Sequence, residues 1–239
     1  MNIAKQIQIY GDSIMKGILL DKDTNRYYPM KQTDEQQFCT NLGLVVNNRS
    51  KFGCTIEKGQ QLLMRSLEKG LDCDFVLLEY GGNDCDYDWE RVAQDPDATH
   101  EPHTPFQRYV EIYRSMLTTL KHSGITPVVM SLPPIDGERY FRWITRNGLN
   151  AQNILRFLGD VQMIYRYQEM YSLAATKLAY ETGSLYVDVR SAFLDKRSYK
   201  NTLICEDGIH PNENGHRLIV NELTKFAAEN LDKFSNSCA

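Results

Sequence analysis

Short apolar stretches alternate along the chain with longer segments whose apolar residues recur every three or four positions. Ile7–Tyr10 alternates apolar and polar residues as a short strand, and turn chemistry takes over at Gly11. Phe38–Leu42 reads as the end of a helix stopped by Gly43, and Leu44–Val46 as a second strand. Ile56–Leu71 has helical periodicity, with Ile56, Leu62, Leu63 and Leu67 on one rough face and Gly70 near its end. Phe75–Glu79 predicts a third strand, and its four successive apolar residues predict burial on both faces. Phe106–His122 is an amphipathic helix lined by Val110, Tyr113, Leu117 and Leu120 and closed by Gly124. Ile125–Leu132 is a fourth strand, ended by Pro133-Pro134. Val161–Thr182 is a helix ended by Gly183, Leu185–Val189 a fifth strand, and Leu218–Leu231 part of the last helix.

Strands separated by helices predict an α/β protein with a parallel sheet. No repeat, low-complexity tract or linker divides residues 1–239, which predicts a single domain. Asp84–Pro105 and Asp136–Asp160 do not fit the alternation and are expected to be loop insertions. Ligands bind such sheets beyond the carboxyl ends of the strands, so chemistry is expected where the first three strands end.

Composition narrows the partners. The net charge is -4 and no basic stripe is present, which argues against a nucleic-acid partner. Apolar runs such as Phe75–Leu78 are far too short to span a bilayer. Met1–Ile9 lacks the extended apolar core of a secretory signal. Cys39, Cys54, Cys73, Cys85, Cys205 and Cys238 form no Cys-x-x-Cys pair, so free thiols in a reducing cytoplasm are expected.

Four positions carry candidate chemistry. The first strand ends at Gly11-Asp12-Ser13, where a serine expected to open a helix can expose its hydroxyl or serve as an N-cap. Gly53 precedes the second helical segment and can offer its N–H to a ligand, or be an ordinary turn glycine. The third strand ends in Gly81-Gly82-Asn83-Asp84, which sets an amide donor at the strand mouth, although Asn is also common in turns. Asp207-Gly208-Ile209-His210-Pro211 precedes the last helix, with Pro211 suited to its first turn. The three-residue spacing can let the carboxylate reach His210 Nδ1, although a lone His on a loop is also commonly just exposed at the surface.

This ordered set resembles the SGNH hydrolases, the GDSL-type esterases and lipases, over nearly the whole chain. The resemblance implies a flavodoxin-like three-layer α/β/α sandwich with a mostly five-stranded parallel sheet. It implies Ser13 as nucleophile, His210 as base, Asp207 as the orienting acid, and an oxyanion hole of Ser13 N–H, Gly53 N–H and the Asn83 side chain. No metal or organic cofactor is implied. Met15 stands where the α/β-hydrolase nucleophile elbow needs a glycine.

The expected activity is hydrolysis of a small-molecule carboxylic ester, with carbohydrate O-acetyl esters the leading class. A lysophospholipase, an acyl-thioesterase, and a non-catalytic binding protein on the same scaffold are the alternatives. Asp12 is expected to brace its loop. The acidic run Asp84–Glu90, followed by His100 and His103, is expected to be a solvated loop, since its spacing does not fit an EF-hand. Tyr87, Trp89 and Phe106, and the run Arg139–Trp143, are expected to line a pocket, cover the core or meet a second copy. Ile154, Leu155 and Leu158 form an apolar stripe on a lid or interface helix. His216 is expected to be exposed, and His122 to suit the end of its helix.

Overall fold

The computed structural model describes residues 5–30 and 44–230. The helix end expected at Phe38–Leu42 and the thiols Cys39 and Cys238 lie outside them. The first strand, β1 (Lys5–Gly11), leads into turns and then an antiparallel hairpin, β2 (Ile18–Leu20) and β3 (Tyr27–Pro29). No helix opens at Ser13. Ile18, Leu19 and Leu20 are all buried, a pattern that leaves no polar face for a helix.

Four further strands join β1 in one sheet: β4 (Leu44–Asn48), β5 (Phe75–Glu79), β6 (Thr126–Met130) and β7 (Leu185–Val187). Every pairing in it is parallel, and the order is β4-β1-β5-β6-β7. Counting sheet strands alone, this is the flavodoxin-like order.

The period-two geometry of strands divides the core into two layers. Ile9, Phe75, Leu77, Val128 and Met130 face α7 (Val189–Leu194) and α9 (Glu213–Glu229). Tyr10, Val76, Leu78 and Val129 face α1 (Ile56–Glu68), α3 (Phe106–His122) and α6 (Gln162–Thr182). Every residue of β5 is buried, as its unbroken apolar run requires. In α3 the buried face is Tyr109, Ile112, Tyr113, Met116, Leu117 and Leu120, and Val110 packs at its margin.

The two insertions are folded. The first carries α2 (Trp89–Gln94); the second carries α4 (Gly137–Thr145) and α5 (Ala151–Leu158). They share a small core of Tyr87, Trp89, Val92, Ile135, Tyr140, Ile154 and Leu158, so two of the three stripe residues point inward while Leu155 stays exposed. A short α8 (Tyr199–Thr202) precedes the last loop. The final helix starts two residues after Pro211, because Asn212 caps it by accepting from the Gly215 N–H at 3.1 Å. No described helix is long and apolar enough to cross a membrane.

Candidate active site

The ends of β1, β4 and β5 are laced together. Arg49 N–H donates to Ile9 O at 2.8 Å and Lys51 N–H to Gly11 O at 3.1 Å, which brings the loop holding Gly53 beside Ser13. Asp12 Oδ1 accepts from the Ile14 N–H at 2.8 Å, a tight turn around Ser13. Gly53 has φ +65° and Gly81 has φ +140°, backbone states that favour glycine. A Cβ on Gly81 would also lie 2.7 Å from Leu132 Cδ1.

The last loop enters from the other side. His210 Nε2 lies 2.9 Å from Ser13 Oγ, and His210 Nδ1 lies 2.6 Å from Asp207 Oδ2. A carboxylate only accepts, so Nδ1 carries the proton and Nε2 accepts from the Ser13 hydroxyl. Asp207 Oδ1 takes the N–H groups of Ile209 at 3.0 Å and His210 at 3.1 Å. Burial pushes the Asp207 carboxyl up, but the hydrogen bonds and charge of His210 outweigh it and hold the pKa below its ordinary value. Asp136 N–H donates to Gly208 O at 2.7 Å, which clamps the loop to the start of α4.

Donors without a full set of partners line the same cavity as this hydroxyl. Among the described residues, the N–H groups of Ser13 and Gly53 take no partner within the protein. Asn83 Nδ2 donates one hydrogen to Asp12 Oδ2 at 2.9 Å, which leaves its second N–H free. Ser13, Gly53 and Asn83 all line one cavity. A hydroxyl that loses its proton to an imidazole beside unpaired donors can attack a carbonyl and have the resulting oxyanion held.

The GDSL-like lipase/acylhydrolase family profile matches residues 9–218, which include every residue of this cluster. The chain belongs to that family. A GDSL esterase/lipase from Oryza sativa subsp. japonica is 26% identical over 156 residues, 64% of this chain and 53% of its own length. The chain thus spans about half of that relative. A lipase/acylhydrolase from Enterococcus faecalis superposes with TM-score 0.64 at 16% identity, covering 94% of this chain and 96% of that one. A catalytic mutant of Axe2, an acetylxylan esterase from Geobacillus stearothermophilus, superposes with TM-score 0.66 at 18% identity over 94% of each chain. At these identities the likeness is one of fold.

In this GDSL-family chain the cavity measures about 170 Å³. Besides the cluster, its wall includes Tyr87 and Trp89 from the first insertion, Tyr140 from the second, and Ile164 and Tyr167 from α6. The α6 residues carry no signal in the sequence beyond their helical period.

A second carboxyl lies behind the serine. Glu79 ends β5 fully buried, its Oε2 is 3.4 Å from the Asp12 N–H, and its Oε1 has no partner. Burial, and then the charge of Asp12, push the Glu79 pKa well above its ordinary value. Burial raises Asp12 too, but the Ile14 N–H, Glu79, His210 and Asn83 oppose it. The pair's single charge therefore rests on Asp12, which has the donors, and its proton on Glu79. A carboxyl closing an otherwise apolar buried strand was the available sequence signal.

Of the acidic run only Asp88 and Glu90 are solvated; Asp84 and Asp86 turn inward. Asp84 is fully buried and its Oδ1 accepts from Thr104 Oγ1 at 2.6 Å and the Ile56 N–H at 2.8 Å, capping α1 from outside. Burial pushes its pKa up to about 7. Asp86 accepts from Tyr140 Oη at 2.6 Å and Trp89 Nε1 at 2.8 Å. Among the described residues no three His, Cys, Asp or Glu side chains converge as a metal site. His216 is also not exposed: it is 3% accessible, with Nε2 3.1 Å from Ile18 O. It pins the β2–β3 hairpin to α9, and burial lowers its pKa to about 4.

Proposed function

We propose that this chain is a serine esterase that hydrolyses a small carboxylic ester through a covalent acyl-enzyme, with O-acetyl esters of carbohydrates as its substrate class. The observation that carries the proposal is the unbroken line from Ser13 Oγ through the imidazole of His210 to Asp207, 2.9 Å and 2.6 Å long. Ser13 Oγ attacks the ester carbonyl and passes its proton to His210 Nε2. The oxyanion takes hydrogen bonds from Ser13 N–H, Gly53 N–H and Asn83 Nδ2. As the carbon–oxygen bond to the alcohol breaks, His210 gives its proton to the leaving oxygen. Water then attacks the acyl-enzyme with His210 as base, and the proton returns to Ser13 Oγ as the acid leaves. Asp207 holds the imidazole in one tautomer and supports its charge.

The acetylxylan esterase fold-mate makes a sugar acetate the first substrate to try. Free thiols at Cys54, Cys73, Cys85 and Cys205 suit a reducing compartment such as the cytoplasm.

The test is kinetic. Ser13→Ala and His210→Ala should each lower kcat on acetyl esters by about 10⁴-fold or more while leaving the fold intact by circular dichroism. Wild-type turnover retained in Ser13→Ala would refute the mechanism. A rise in kcat/KM from acetate to octanoate would move the substrate to a lipid or long-chain thioester.

A further inference from the structure

The alcohol half of the ester also needs a place. His210 returns its proton to the leaving oxygen, so that oxygen must lie beside Nε2. Two aromatic rings meet the imidazole at the cavity mouth. The ring of Tyr27, on β3, lies 4.9 Å from it, and that of Phe52 lies 6.1 Å away at an interplanar angle of 7°. The two rings are 5.3 Å apart. Trp143 on α4 packs beside Tyr27, 6.4 Å away and beyond the residues that line the cavity, and the Arg146 guanidinium lies 3.6 Å over the indole. Tyr27 and Trp143 are half-buried, but Phe52 is 51% exposed. Core packing does not account for a phenylalanine held half in water next to Gly53. Three segments distant in sequence supply this one wall.

We infer that Tyr27, Phe52, Trp143 and Arg146 form an alcohol-side subsite that stacks a pyranose ring. The inference rests on the esterase proposal and specifies the alcohol it releases. A pyranose presents C–H groups on its faces and hydroxyls around its edge. Aromatic rings match the faces, and the guanidinium donors that Arg146 does not spend on the Trp143 carbonyl match the edge. An acyl chain would call for a continuous aliphatic surface, whereas this wall combines rings with a fixed charge. The acyl group then occupies the part of the cavity lined by Tyr87 and Trp89.

The experiment compares an acetylated methyl xylopyranoside with ethyl acetate, which has no ring. The readout is the ratio of their kcat/KM values. Phe52→Ala and Trp143→Ala should each lower that ratio by about three- to tenfold. Phe52→Tyr should restore it. A ratio unchanged by both alanine variants overturns the subsite. Binding is read separately in Ser13→Ala by tryptophan emission, the protein having two tryptophans, Trp89 and Trp143. The pyranoside should quench emission, and Trp143→Phe should abolish the change. If wild type hydrolyses neither ester but the pyranoside still quenches Trp143, the subsite stands and the esterase proposal falls. If no Trp143-dependent change appears, the subsite falls whatever the activity.

Discussion

Asn83 can serve an oxyanion only if its amide is turned the right way. The charge on Asp12 does this, because a carboxylate attracts the NH₂ end and repels the carbonyl oxygen. Asn83→Ala should therefore lower kcat by about 10²–10³-fold with little change in KM. Asp12→Asn should cost about tenfold or more in kcat, since a neutral partner no longer fixes the amide. Glu79→Gln should stay near wild type in steady-state kinetics, because a neutral amide replaces a carboxyl that is already protonated. Glu79→Gln behaving like Asp12→Asn would show that Glu79 carries charge instead.

His216 gives a pH prediction of the same kind. Burial lowers its pKa from the ordinary 6.5 to about 4. Between those values the unfolded chain takes up a proton that the native state refuses. Native stability therefore falls as pH drops from about 6.5 to 4, and the contribution is complete above that window. It amounts to something on the order of 3 kcal/mol. Urea melts should show this slope in wild type but not in His216→Gln, so the stability difference between the two should shrink with acid. A difference that is constant from pH 7 to 4 would contradict a neutral buried imidazole.

At the scale of elements, the sequence was legible where one period ran long enough. The helix Phe106–His122 and the strand Phe75–Glu79 appear with the boundaries their patterns predict. So did the strand ends, since Gly-Asp-Ser, Gly-Gly-Asn and Asp-x-x-His each mark a loop at a sheet edge. The hairpin was not legible. Its strands have three residues each, too short for a period to show, and the polar turn Asp21–Asn25 merely separates them. Charge misled in two places. The carboxyls of Asp84 and Asp86 point inward to partners supplied by other segments, and His216 packs against a hairpin that no local pattern predicts. Such partners are tertiary facts.

The insertions depend on those same bonds. Tyr140 Oη joins the second insertion to Asp86 of the first at 2.6 Å. Tyr140→Phe should cost about 1–3 kcal/mol of stability by leaving a carboxylate oxygen short of its donor. Hydrogen exchange should quicken in α2, α4 and α5 before it quickens in the sheet. Uniform exchange throughout the chain would mean that the insertions are not a separate layer.

Over the whole molecule, the sheet order accounts for the site. β1 lies between β4 and β5, so the three loops after these neighbouring strands open onto one cleft. The loop after α8 closes that cleft from the far end of the chain and brings His210 to Ser13 across 197 residues of sequence separation. Every part of the proposed chemistry converges on the Ser13 hydroxyl. The most direct test is therefore to treat the folded protein with an alkyl fluorophosphonate and map the modified peptide by mass spectrometry. The structure predicts a single phosphonyl adduct on Ser13, absent in Ser13→Ala and greatly slowed in His210→Ala. An unlabelled protein, or one labelled equally in Ser13→Ala, would contradict it.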